Sequence, residues 1–282
     1  KKQFILGCLI YLIPTFSNYA TYAYVIDDLD QAELDVINRH WSPSNETLEQ
    51  EIEAYRGSYK KQVQYRAQMW SSSENNEDNP IGGIGAGIIG LSILIDLFSR
   101  SFGMMLIGMA CFSWGVFSNN LSKSIYKKLV IIGFGIGFPL STTGLFFNYY
   151  FDWDWKYVQF LGRSPNNIAT PLIAFGYIAV IMLWIRKGIF INLQEKLRTI
   201  GKTALTAYLI QTVIATFIFY GIGLGLFGYV NRAYQLLIMC LIWSTLITVC
   251  PIWLRRYQYG PVEWIWRMLT HMKLIPMKLQ KK

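Results

Sequence analysis

Charge is scarce in this sequence. Only 15% of its 282 residues are Asp, Glu, Lys or Arg, where a soluble globular chain carries about 25%. A surface so poorly charged faces lipid rather than water. Histidine is nearly missing: His40 and His271 are the only two. No HExxH motif and no i,i+4 His pair exists, so nothing supports a metal site, and His40, set among acidic residues, reads as a solvated side chain. The four cysteines, Cys8, Cys111, Cys240 and Cys250, all fall in apolar runs. Their spacing fits neither a disulfide framework nor a zinc site. No nucleophile–base pair or carboxylate dyad is visible, and no cofactor is evident.

What is abundant is apolar sequence, 53% of the chain. It comes in runs that approach the roughly 20 residues a helix needs to cross about 30 Å of hydrocarbon. Helices suit that setting because they satisfy their own backbone polar groups. The runs give crossings over 1–25 and near 84–117, 129–149, 168–185, 203–227 and 234–254. Phe4 to Val25 follows Lys1 and Lys2 and has the outline of a signal peptide, but it is long for one. Ile81 to Phe117 contains a lone Gly85-Ala86-Gly87-Ile88-Ile89-Gly90. With no strand before it, this formal dinucleotide motif reads as helix packing. Gly133 and Gly137 offer a packing face in the next run, and Pro139 a kink.

The net charge of +9 does not signal nucleic-acid binding, because the basic residues are spread over short loops and the tail. Residues 26–80 form an acidic insertion, with twelve acids against five bases between Asp27 and Pro80. Within it Ser44 is an expected N-cap, Leu48, Ile52, Tyr55, Tyr59 and Val63 share one helical face, and Ser71 to Pro80 is an expected linker. The 118–128 loop has three lysines, the 186–202 connector five bases and one acid, and the tail from Arg255 seven bases and one acid. Positive loops face the cytoplasm. The alternation is clean only if 81–117 crosses once. The expected fold is therefore all-α: a polytopic transmembrane helical bundle of about six crossings with both ends cytoplasmic, an extracytoplasmic helical insertion, and a C-terminal amphipathic interfacial helix over 261–275.

Asp96 and Arg100 stand one turn apart inside an apolar run. Such charges mark either a site or a buried pair, and an Arg facing a cavity can hold a phosphate or carboxylate. Tyr208 and Gln211 are one turn apart in the fifth run; they either line a cavity or bond neighbouring helices. Arg255, Arg256 and Arg267 are candidates for lipid or nucleotide phosphates, with positive-inside anchoring as the simpler reading. Glu263 and Arg267 have favourable i,i+4 spacing, and Pro261 suits a first helical turn.

The C-terminal third carries three further stretches: Leu205-Thr206-Ala207-Tyr208-Leu209-Ile210-Gln211, then Phe219-Tyr220-Gly221-Ile222-Gly223-Leu224-Gly225-Leu226-Phe227, then Arg256-Tyr257-Gln258-Tyr259-Gly260-Pro261-Val262-Glu263-Trp264-Ile265-Trp266-Arg267-Met268-Leu269-Thr270. The glycines lie after a membrane helix, not a strand, so they read as a turn and a Gly221/Gly225 packing pair. Together with Gly103 to Ala110 and Ala54-Tyr55-Arg56-Gly57, these stretches resemble the YeiB-like bacterial membrane proteins, whose domain is of unknown function, number 418. Ala207 departs from the family's usual Asn. The resemblance implies the bacterial inner membrane, a further membrane-embedded half before Lys1, and a distant kinship with membrane acyltransferases. Those relatives use a His base, which is expected in the preceding half, with an acyl donor or small-molecule substrate as partner. A transporter or permease subunit, and a structural protein binding a partner through the acidic insertion, stand as alternatives.

Overall fold

A computed structural model describes residues 1–24, 29, 31–74 and 84–278. Among the described residues the regular structure is helical, with one isolated bridge between Tyr257 and Lys278. The helices are α1 (Lys2–Tyr24), α2 (Gln31–Trp41), α3 (Asn45–Arg56), α4 (Tyr59–Glu74), α5 (Ile84–Ser113), α6 (Lys123–Tyr150), α7 (Arg163–Lys187), α8 (Ile191–Lys202), α9 (Ala204–Phe219), α10 (Arg232–Leu254) and α11 (Pro261–His271). Five are long and apolar enough to span a membrane, and the bent pair α8–α9 makes a sixth candidate. The protein is an all-α, polytopic helical bundle.

Two compact units divide the chain. The first holds Lys1–Pro43 and Glu77–Ile189, the second Ser44–Asn76 and Phe190–Lys282. The acidic segment is thus shared, α2 going to the first unit and α3–α4 to the second.

In the first unit, α1 lies along α5 and α6 along α7. Both crossings are built on glycine. A methyl group on Gly103 would meet Tyr11 and the Gly7 carbonyl within 3 Å, and one on Gly133 would meet the Gly176 backbone at 2.8 Å. Such close approach is how helices associate where no water drives them together. The expected face at Gly133 and Gly137 is the one that packs on α7, and α6 runs on through Pro139 as one helix. The core gathers Tyr11, Ile107, Cys111, Val116, Tyr126 and Ala179. Tyr126 is fully buried and donates to the Val116 carbonyl at 2.7 Å. At the far end α2 is tied to the turn after α6: Trp155 donates to Asn38 at 2.9 Å and Trp41 to the Trp153 carbonyl at 3.0 Å. Leu97, Phe98, Phe102, Met105 and Phe112 of α5 stay exposed, the pattern of a lipid-facing stripe.

The second unit departs more from expectation. The crossing expected over 203–227 ends at Phe219, so α9 has 16 residues. At 1.5 Å per residue that is about 24 Å, short of the hydrocarbon thickness. It completes a span only with α8, from which it is bent by 85°. Thr203 sits buried at the bend, its hydroxyl bonded to the Thr199 carbonyl at 3.1 Å. Ala207, Ile242, Leu246 and Cys250 form the core between α9 and α10. Ser44 does cap α3, accepting from the Thr47 amide at 3.2 Å. The apolar face expected to continue from Leu48 to Val63 is interrupted, because α3 stops at Arg56 and Tyr59 and Val63 of α4 are exposed. The expected linker begins later than Ser71, since α4 extends to Glu74; residues 75–80 lie outside those described.

Candidate functional site

The three C-terminal stretches and the Ala54–Gly57 stretch all fall in the second unit, and the fold brings them into two joints. The first joins the end of α3 to the glycine loop. Gly221 donates its amide to the Tyr55 carbonyl at 3.0 Å. A methyl group there would collide with the Arg56 and Gly57 carbonyl oxygens, so this glycine packs against backbone. The expected helix end and turn are present, and Gly221 packs on the α3 terminus. Gly223 is held as closely to the Phe217 carbonyl, and Gly225 has the left-handed φ of 62° that a side chain resists. Arg56 closes the joint: its Nε donates to the Phe227 carbonyl at 2.7 Å and its guanidinium covers the Tyr229 ring at 3.1 Å. Gln62, buried in α4, donates to the Tyr55 and Gly57 carbonyls at 3.0 and 3.1 Å.

The second joint binds α11 to the start of α9. The first amides of a helix have no partner within it. Glu263 supplies one, accepting from the Thr206 amide at 3.0 Å and, through its other oxygen, from the Thr206 hydroxyl. That hydroxyl in turn accepts from the Val262 amide at 3.1 Å. Gly260 is crowded by both side chains, and Pro261 opens α11 as expected. Burial pushes the Glu263 carboxyl up, but the Thr206 hydrogen bonds outweigh it and hold the group below the usual carboxylate value. The expected Glu263–Arg267 pairing is replaced: Glu263 turns to Thr206 and Arg267 lies 4.5 Å over the Tyr259 ring. α11 ends at His271 rather than continuing to Ile275, whose carbonyl accepts from Trp264 at 2.7 Å. Ile265, Trp266, Leu269 and Met272 are left exposed as an apolar face.

Between α9, α3 and the glycine loop lies an open cavity of about 750 Å³. Tyr208, Gln211, Thr212 and Thr216 line it along α9, with Leu48, Glu51 and Ile52 from α3 and Phe227 from the loop. Its volume is in the range of small-molecule sites. Tyr208 and Gln211 therefore meet at this wall, whereas Ala207 points the other way, buried against α10. Among the described lining residues Glu51 is the carboxylate.

Asp96 and Arg100 belong to the first unit. α5 passes through them as one 30-residue helix, so they do not break it. Asp96 is buried and its Oδ2 meets Arg100 at 3.6 Å and Arg163, at the start of α7, at 3.4 Å. Arg255 and Arg256 are exposed just after α10, apart from any cavity described above. Among the described residues no group of three potential metal ligands occurs. His40 lies in α2, with its side chain outside the described set.

Helices of this length and composition, with charges confined to seams and ends, define a multi-pass membrane protein. The chain belongs to the family described as "Protein of unknown function (DUF418)", whose profile matches residues 111–273. It is 34% identical over 169 residues to the uncharacterized protein YeiB of Escherichia coli, covering 60% of this chain and 43% of that protein. With the uncharacterized protein YxaH of Bacillus subtilis it shares 31% over 115 residues, 41% of this chain and 29% of YxaH. An uncharacterized 39.9 kDa protein from Bacillus acidopullulyticus is 25% identical over 210 residues, 68% of this chain and 59% of that protein. The chain thus spans less than half the length of YeiB and YxaH. No solved structure matches it.

Proposed function

We propose that this chain forms the acceptor-binding part of an acyltransferase-like protein of the bacterial inner membrane. The observation that carries the reading is the α9 cavity. One wall presents hydroxyl and amide groups from Tyr208, Gln211, Thr212 and Thr216, and the opposite wall is mostly apolar, from Leu48, Ile52 and Phe227, with Glu51 its one charge. That suits an amphipathic acceptor, its polar head bonded to Gln211 and its tail against α3. Among the described lining residues Glu51 is the one carboxylate and no imidazole occurs; the His base that the family resemblance implies lies in another part of the whole protein.

Sidedness is part of the same proposal. With both ends cytoplasmic, the charge pattern puts 27–80 outside. The contacts within each unit agree with that assignment. α3 joins the 221–229 loop, Trp41 joins Trp153, Arg186 bonds the carbonyls of Asn119 and Leu121, and Glu263 caps α9. Each pair lies on one face if α8–α9 crosses once.

The test compares extracts of cells expressing the full-length protein and its Gln211→Leu variant, by mass spectrometry. A metabolite or lipid carrying an added acyl mass is expected with the parent protein and lost with the variant, at equal membrane levels. An unchanged product overturns the proposal. The bend between α8 and α9 also favours a second reading, a transporter with a broken span at its binding site. Movement of the compound across proteoliposomes without chemical change selects that one.

A further inference from the structure

The first unit holds a polar seam that the acceptor cavity does not use. Asn18 of α1, Ser92, Asp96 and Arg100 of α5, and Arg163 and Asn167 of α7 run along facing sides of three helices, at four-residue steps within α5 and within α7. Ser92 joins the Asn18 side chain at 3.3 Å, and the Tyr11 hydroxyl donates to the Asn167 carbonyl at 2.9 Å while lying in the field of Arg100 and Asp96. The charges do not balance. Two guanidinium groups, 28% and 37% exposed, share one carboxylate oxygen, leaving one positive charge in excess at the seam. An ionisable cluster within an apolar helix pair marks function by default. The hydrogen-bonding capacity is also unspent: the amide nitrogens of Asn18 and Asn167 are buried without partners, and so is Oδ1 of Asp96. Asn18 is 4% exposed, Asn167 3% and Asp96 7%.

We propose that this seam is an oxyanion site, taking a singly charged phosphate group between Arg100 and Arg163. The surplus guanidinium and the free amide donor of Asn167, one turn from Arg163, fit an acceptor-rich ligand. Asp96 holds the two arginines in place, repels a dianion, and leaves Oδ1 to accept from a ligand hydroxyl. The group can come from an anionic lipid headgroup or from a soluble phosphate. The π-helical turn Tyr157–Gly162 immediately before Arg163 is the kind of helix irregularity that recurs at functional sites.

The experiment measures thermal unfolding of the full-length protein. It is titrated with sodium phosphate against sodium chloride at equal ionic strength, and separately placed in phosphatidylcholine nanodiscs with and without phosphatidylglycerol. Saturable stabilisation by free phosphate assigns a soluble ligand, and stabilisation by phosphatidylglycerol alone assigns a headgroup. R163Q leaves a neutral Arg100–Asp96 pair, so it is expected to insert and to bind the probe at least about tenfold more weakly, the effect of one lost charge-assisted bond. No response in the parent protein, or an equal response in R163Q, overturns the site. Should R163Q fail to insert, R163K is read in the same way: a weakened response supports the site and an unchanged one overturns it.

Discussion

In the first unit polar groups meet side chain to side chain, across helices, around Asp96. In the second they meet backbone: Gly221, Phe227 and the α9 N-terminus are bonded by Tyr55, Arg56 and Glu263. The difference follows from helix length. α5 has 30 residues and keeps its backbone satisfied past its two charges, so only side chains need partners. α9 ends after 16, which exposes amides and carbonyls at both ends inside an apolar setting. Unsatisfied backbone groups there cost several kcal/mol each, and the resembled motifs are the residues that satisfy them.

Removing the shared carboxylate breaks the comparison most severely. Asp96→Ala leaves two half-buried cations without their shared carboxylate, and about 3 kcal/mol of stability is expected to go, the low end of the range for a buried pair because solvent screens both arginines, read as lost insertion or a lower unfolding temperature. Gly221→Val is next. Its side chain collides with the α3 terminus, and an expected loss of about 1–3 kcal/mol is read as faster proteolysis between α3 and α4. Glu263→Gln sharpens the backbone side of the contrast. It keeps the shape and removes the charge at the α9 N-terminus, for about 1 kcal/mol. Because the folded carboxyl is held low, its contribution is complete above the ordinary carboxylate range. It is lost as pH falls through the depressed folded value, so the acid limb of a stability–pH profile flattens in the variant. Trp266→Ala has the smallest effect, within about 0.5 kcal/mol in detergent, since the ring is 66% exposed; its consequence is weaker attachment of a tail peptide to lipid vesicles.

Much of the frame is readable from residue type and spacing. The apolar runs mark α1, α5, α6, α7 and α10, Ser44 marks the start of α3, and the Gly133–Gly137 spacing marks the face that α7 covers. These are local signals. The rest is not local. Arg163 is 67 positions from Asp96, and with Lys156 it already cancels the nearby Asp152 and Asp154, so nothing nearby announces the pairing. Thr206 is an unremarkable residue in an apolar run until α11 brings Glu263 to it. The early end of α9 was masked because Gly221 to Gly228 is apolar enough to prolong a hydrophobic count while unable to prolong a helix. Gln62 gave no signal, since a buried Gln in a polar stretch looks like a solvated one.

The whole account requires α8–α9 to cross once, which puts α3 and the tail on opposite faces. The direct measurement is thiol labelling of intact cells by a membrane-impermeant maleimide, in the full-length protein with the exposed Cys240 replaced by Ser. Single cysteines are placed at Glu49 and Lys273, both exposed. Labelling of Glu49→Cys, with Lys273→Cys reacting only after lysis, is the expected result. Equal reactivity of the two in intact cells contradicts the crossing count and the cavity's assigned face with it.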